Sequence, residues 1–116
     1  ESWIRFYLEG VERTATAAVA MAQRLAACFE RDRSRLQDAG RVAGSALRVH
    51  HALCERPLAS LAALSERTGL SLPATTAGMR ALVELGVASE ITGKRRNRVF
   101  AYDDHLAILS EGTEPL

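Results

Sequence analysis

A short basic stretch near the carboxyl end is the part of this sequence best suited to bind an anion. Four of the five residues from 94 to 98 are basic, although the formal net charge of all 116 residues is only +1. Positive charge concentrated at one exposed turn attracts polyanions and can neutralise nucleic-acid phosphates. The alternative interpretation is a solvated turn with no ligand. The basic side chains, taken as candidate nucleic-acid contacts, are Lys94, Arg95, Arg96 and Arg98.

The residues around this stretch predict the elements that position it. Residues 87–92 and 98–102 have the composition of strands, and the tight connection between them predicts a β-hairpin. Further back, Ser60 and Ser71 can each cap a helix, and residues 68–70 form the turn between the two helices. Two helices joined by a tight turn and followed by a basic hairpin indicate a winged helix-turn-helix domain with a two-stranded β-wing.

The second of these helices offers few groups that could read a base sequence. We expect it to run from residue 72 to 85 and to expose Thr76 and Arg80 as its polar side chains, so both are candidate nucleic-acid contacts. One threonine and one arginine are few for recognition of base edges. The sequence therefore predicts weak binding to the phosphate backbone. The competing hypothesis is a protein-interaction or dimerisation module that does not bind DNA.

The amino-terminal third predicts helices that need a partner. A short aromatic helix is expected to end or kink at Gly10. A longer helix follows, with an apolar stripe from Val11 to Leu36 that fails only at Asp32. Since nothing else in the chain is long enough to cover this stripe fully, we expect a homodimer or a covering segment of a larger protein. The candidate interaction residues are Trp3, Phe6, Tyr7, Leu25 and Phe29.

The predicted fold is thus mainly α, with a helical segment followed by the winged helix-turn-helix domain. We divide the chain into a helical unit at 1–38, a linker at 39–44, the winged-helix unit at 45–110 and a flexible tail at 111–116. We expect the winged-helix unit to fold without the helical unit. The chain opens without an initiator methionine, which predicts a fragment of a longer protein.

Other functions find little support in the sequence. No arrangement of nucleophile and base is apparent, so we predict neither an enzyme nor catalytic residues. Adjacent His50 and His51 point apart on a helix and make a poor chelate, so no metal site is expected. Cys28 and Cys54 are expected to be reduced, packed thiols. We predict no membrane association and a cytoplasmic location, because no apolar run approaches the length of a membrane span.

Two separated segments together resemble one protein family. Residues 3–11, Trp-Ile-Arg-Phe-Tyr-Leu-Glu-Gly-Val, resemble the stretch that closes the catalytic core of Fic proteins. Residues 93–102, Gly-Lys-Arg-Arg-Asn-Arg-Val-Phe-Ala-Tyr, with residues 106–109 after them, resemble the carboxyl-terminal winged-helix extension of the same family. The two segments occur in the order and at the spacing that this arrangement requires.

The resemblance implies a bacterial parent protein that transfers AMP from ATP to a hydroxyl side chain of a target protein, with ATP and Mg as the parent's cofactors. The Fic signature is a His-Pro-Phe segment that runs into Gly-Asn-Gly-Arg, and this chain lacks it: none of His50, His51 and His105 is followed by such a glycine-rich turn. The resemblance therefore implies no catalytic residue and no cofactor here. It makes this chain a regulatory or targeting module, with the missing Fic core as a partner and DNA as a candidate partner.

Overall fold

The computed structural model describes the backbone of residues 2–91 and 98–113 and the side chains of residues 16–91 and 98–111. Within these limits the protein is mainly helical with one small antiparallel sheet, which confirms the coarse fold prediction. The elements in chain order are helix α1 (Ser2–Gln37), a 3₁₀ turn (Gly40–Val42), α2 (Ala43–Glu55), strand β1 (Leu58–Ser60), α3 (Leu61–Thr68), α4 (Leu72–Glu84), β2 (Ala88–Glu90), β3 (Val99–Tyr102) and α5 (Asp103–Thr113).

Helix α1 is one continuous helix of 36 residues, so the predicted break at Gly10 is wrong. A single glycine inside a helix costs roughly 1 kcal/mol, which a long helix absorbs without breaking. At about 1.5 Å per residue the helix is roughly 54 Å long. It accounts for most of the 63 Å long dimension of the molecule, whose other dimensions are 29 and 23 Å.

Local signals fix the ends of α3 and α4. The Ser60 hydroxyl accepts a hydrogen bond from Ala63 N at 3.2 Å, and the Ser71 hydroxyl accepts one from Ala74 N at the same distance. Both predicted caps are therefore confirmed. Gly86 follows the end of α4 with a φ of +76°, a left-handed conformation that glycine adopts without strain.

The sheet has three strands, in the order β1-β3-β2, where the sequence predicted only two. Strand β1 is the additional strand: it pairs antiparallel with β3, which places Ala59 opposite Phe100. Strand β2 pairs with the other edge of β3 and places Glu90 opposite Phe100. The central strand β3 is the most buried, with Phe100, Ala101 and Tyr102 all in the core.

The core joins the carboxyl-terminal half of α1 to the rest of the chain. Cys28 and Leu36 of α1 belong to the same buried cluster as Leu53, Leu82 and Tyr102. Residues 16–20 of α1, by contrast, are all exposed. In the part of the chain that the structure describes, no helix is both long enough and apolar enough to cross a membrane.

Candidate nucleic-acid interface

Three of the sequence-predicted contacts lie around one cleft between α3, α4 and the sheet. Thr76 and Arg80 come from α4, and Arg98 directly precedes β3. Lys94, Arg95 and Arg96 lie outside the described residues. The cleft has a volume of about 250 Å³ and is lined by Leu61, Thr76, Met79, Arg80, Val83, Glu90, Arg98 and Phe100.

The two arginines of the cleft differ in their partners. Arg98 Nε lies 3.1 Å from Glu90 Oε1, so one carboxylate already offsets part of its charge. Arg80 is exposed and forms no ion pair with any side chain in the described ranges. The Thr76 hydroxyl donates back to Leu72 O at 2.8 Å within the helix. Arg80 is therefore the cation of this cleft that is ready to bind an anion.

The floor of the cleft is apolar, because Met79 and Phe100 are almost completely buried beneath the arginines. Val83, on the outer side of α4, is exposed. An arginine above apolar side chains sits in a less polar environment than one in open water, which strengthens its attraction for a phosphate. The same floor offers few donors or acceptors for base edges, so the arrangement suits backbone contacts.

Behind this cleft, a buried carboxylate fastens α1 to β3. Asp32 is 0% exposed. Its Oδ2 accepts the Tyr102 hydroxyl at 2.6 Å, and its Oδ1 accepts Arg31 Nε at 3.0 Å. Arg35 Nη1 lies 3.5 Å from the same Oδ1. We call these four residues the Asp32 cluster: Asp32, Tyr102, Arg31 and Arg35.

The number of available protons determines the direction of the hydrogen bonds that connect this cluster to α2. The Tyr102 hydroxyl has one proton and gives it to Asp32, so it can only accept from His50 Nε2, which lies 3.1 Å away. His50 therefore carries its proton on Nε2. The Cys54 sulfur lies 3.7 Å from Nε2 and 3.9 Å from Nδ1, and the unprotonated Nδ1 is the ring nitrogen that can accept from the thiol. No side-chain nitrogen or oxygen buried in the described residues lacks a partner.

The protonation states follow from these contacts. Burial raises the pKa of Asp32, but the hydrogen bonds from Arg31 and Tyr102 more than offset this effect, and the net pKa lies below its usual range. Burial, with the bond to Asp32, raises the pKa of Tyr102, so the hydroxyl stays protonated. Burial lowers the pKa of His50, so the ring is neutral at pH 7. Burial raises the pKa of the Cys54 thiol to about 12, which makes it unreactive.

The same turn of α1 also contacts the ends of two other elements. Arg35 Nη2 donates to Leu85 O at 2.6 Å, at the residue that follows α4. Arg31 Nη2 donates to Asp104 Oδ2 at 2.5 Å, in the first turn of α5. The Asp32 cluster thus ties α1 to α4, β3 and α5 at once.

Two of the candidate interaction residues of α1, Leu25 and Phe29, have intramolecular neighbours in this structure. The Phe29 ring packs at 5.0 Å from His105 and 5.7 Å from Tyr102, measured between ring centroids. Leu25 packs against the same core from a partly buried position. The side chains of Trp3, Phe6 and Tyr7 lie outside the described residues.

One group of possible metal ligands occurs among the described residues. Single ligand atoms of Cys28, Asp32 and Asp104 all lie within 4.8 Å of one another. The guanidinium of Arg31 already bonds to both carboxylates, and it lies 3.8 Å from the Cys28 sulfur. A cation there would have to displace Arg31, so the group fits a guanidinium and not a metal ion.

Sequence reasoning missed Asp32, which it treated only as a gap in an apolar stripe. The signal was nevertheless present. A charged residue at a core position of a helix requires a buried polar partner, and Tyr102 and His50 are polar groups within apolar segments. Only the folded arrangement shows that they meet.

No protein-family model matches this chain, and no curated protein sequence matches it.

Proposed function

We propose that this chain is a winged-helix module that binds nucleic-acid phosphates weakly through α4 and the β2–β3 hairpin. The order of elements supports the fold. Helix α2, strand β1, the helix pair α3–α4 and the antiparallel strands β2 and β3 follow one another as in a winged helix, with β1 paired to the hairpin.

One observation carries the proposed activity: Arg80 and Arg98, from different elements, line the same cleft. The cleft also includes Glu90, the last residue of β2, so the chain leaves β2 and re-enters β3 at this place. The sequence between these strands contains Lys94, Arg95 and Arg96, which lie outside the described residues. Arg80 and Arg98, which are distant along the chain, are thereby brought to one cleft.

Phosphate contacts of this kind confer affinity but not sequence choice. Asparagine, glutamine and lysine are absent from α4, and its polar candidates are Thr76 and Arg80. We therefore expect weak, salt-sensitive binding with little preference among duplex sequences.

Fluorescence anisotropy with a short duplex of random sequence tests this proposal. Replacing both Arg80 and Arg98 by alanine should weaken binding by about tenfold or more, since two phosphate contacts are lost. The matched control is Arg33→Ala, which removes one positive charge from a different groove, between α1 and α2. Equal weakening by the control would mean that net charge, and not this cleft, determines binding.

The parentage is also a proposal, and it rests on the two Fic-like segments alone. We propose that the chain is the regulatory or targeting part of a Fic-like AMP-transferase, whose core would supply the ATP and Mg site. Because the signature residues are absent here, the chain by itself should transfer no AMP to protein acceptors. Label that passes from radioactive ATP to an acceptor, with contaminating enzyme excluded, would refute this statement.

A second candidate function, self-association through α1, is favoured by one specific observation. Residues 16–20 of α1 are exposed, and Val19 among them is 56% exposed. Alanines at 18 and 22 flank it and permit close approach of a second helix. Light scattering coupled to size exclusion should show a dimer that Val19→Glu converts to monomer. A wild-type monomer at high micromolar concentration would reject this candidate.

A further inference from the structure

The Asp32 cluster contacts the two elements that carry the candidate nucleic-acid interface. Tyr102 ends β3, and Arg98 stands four residues before it, directly before the start of the same strand. Leu85 follows α4, and Arg80 stands five residues before it on the same helix. These separations are short, roughly 13 Å along a strand and 7.5 Å along a helix. Both arginines are therefore joined to the cluster by short stretches of regular secondary structure.

We propose that docking of α1 through the Asp32 cluster controls the nucleic-acid interface. With α1 docked, the end of α4 and strand β3 are held in the arrangement that presents Arg80 and Arg98 together. With α1 released, Leu85 O loses the Arg35 guanidinium, Tyr102 loses its acceptor, and affinity for phosphates falls. This inference rests on the proposed function, and it couples the position of α1 to the binding of phosphates.

The docked position of α1 is specific in register. Cys28, Asp32 and Leu36 are four residues apart on one buried face of the helix. A shift by one helical turn would place the Asp32 carboxylate against apolar atoms and remove its hydroxyl and guanidinium donors, a costly arrangement for a charge. Sliding is therefore disfavoured, and α1 is either docked in this register or released.

Thermodynamic linkage makes the effect reciprocal. If docking of α1 raises the affinity for a duplex, then bound duplex must stabilise the docked state of α1 by the same factor. The second effect can be measured on this chain alone.

The protein contains its own probe of docking. The Cys28 sulfur is buried in the joint, 3.6 Å from the Tyr102 oxygen. With Cys54→Ser as background, Cys28 is the single thiol of the chain. Its rate of reaction with a maleimide then reports how often α1 is released. Tyr102→Phe deletes only the hydroxyl, and the loss of a hydrogen bond to a charged group should raise the rate about tenfold or more.

The matched control is Arg24→Ala, which breaks an exposed ion pair between α1 and α5 without touching the Asp32 cluster. It should leave the rate within about twofold, as exposed ion pairs contribute little. An unchanged rate in Tyr102→Phe, or an equal rise in the control, would overturn the proposal that this cluster holds α1.

Two further measurements test the coupling. Amide hydrogen exchange of Tyr102→Phe, without nucleic acid, should be faster at residues 82–87 and 99–102 than in the Arg24→Ala control; no difference would overturn the coupling. With the random duplex at saturation, Cys28 of the Cys54→Ser protein, with Tyr102 intact, should react more slowly with the maleimide. An unchanged rate at demonstrated saturation would also overturn the coupling. If anisotropy detects no duplex binding at all, the proposed function fails, whereas exchange still decides whether α1 controls α4 and β3.

Discussion

Asp32 shows how one residue can interrupt a pattern and still complete a core. The apolar stripe of α1 predicts an apolar side chain at position 32, but the residue there is an aspartate. The cost of burying this charge is offset because Arg31, Arg35 and Tyr102 all direct donors at its two oxygens. An apolar residue of similar size would pack there without these donors, so the carboxylate contributes specificity of docking at the residue scale.

The buried histidines predict that acid destabilises the fold. Burial lowers the pKa of His50 and of His105 in the folded protein. The unfolded chain therefore binds these protons more readily, and stability falls as the pH drops below about 6.5, the ordinary value for histidine. We expect a loss of about 1–3 kcal/mol in the free energy of unfolding between pH 7.5 and pH 5.5, measured by urea titration.

Variants separate this effect from general acid sensitivity. His50→Gln keeps a donor for Tyr102 and should remove about half of the pH dependence. His105→Gln, at the other buried ring, should remove the rest of this dependence. A pH profile of either variant that matches that of the unsubstituted protein would contradict the assignment to the buried rings.

At the scale of elements, the crossing of α2 and α4 depends on Gly78. A Cβ added at this position would lie 2.9 Å from the backbone carbon and oxygen of Ser45, closer than such atoms approach. The backbone atoms of Gly78 and Ser45 cannot move aside as the end of a flexible side chain could. Gly78→Ala should therefore lower the free energy of unfolding by about 1–3 kcal/mol, although alanine is the better helix former.

Gly44 provides the matched control. It lies in α2, and a Cβ there would meet no atom within 4 Å. Gly44→Ala should stabilise the protein by about 0.5–1 kcal/mol through helix propensity alone. Denaturant unfolding of both variants gives the comparison, and a stabilised Gly78→Ala would disprove the close crossing.

The elements with local signals could be predicted from the sequence. Ser60, Ser71 and Gly86 each act on backbone groups within a few residues, so α3 and α4 were placed correctly. Strand β1 was missed because three residues are too few for a periodic pattern, and its only strand partner lies about forty residues away in β3. Helix α2 begins at Ala43 without a side-chain cap, inside the stretch 39–44 that the sequence predicted as a linker.

The site was only partly predictable. Thr76, Arg80 and Arg98 were chosen by residue type, and their common cleft follows from the packing of α4 on the sheet. The ion pair of Arg98 with Glu90 depends on the pairing of β2 with β3, and the hydrogen bond from Tyr102 to Asp32 joins residues seventy positions apart. Contacts between residues seventy positions apart arise from tertiary structure alone.

At the scale of the whole molecule, the carboxyl-terminal half of α1 is part of the common core. The sequence alone predicts that residues 1–38 form a unit separate from residues 45–110. The structure buries Cys28, Asp32 and Leu36 against the remainder of the chain. Residues 45–110 alone should therefore be less stable than the full chain. Deletion of residues 1–38 should lower the melting temperature by about 10 °C or more, since several buried side chains lose their cover.

Deletion of residues 1–15 is the control, because the residues that follow them, 16–20, are already exposed. This shorter deletion should change the melting temperature by no more than a few degrees. Circular dichroism gives both transitions. A longer deletion that melts like the full chain would show that α1 is dispensable for the fold.

The central claim is that phosphates bind at the face formed by α4 and the β2–β3 hairpin, and its most direct test is the salt dependence of duplex binding. With about three phosphate contacts, the logarithm of the association constant should fall with the logarithm of salt concentration at a slope near −3. Replacing Arg80 and Arg98, the two arginines of the cleft, by alanine should flatten this slope by about two units. A slope that the double substitution leaves unchanged would contradict the account.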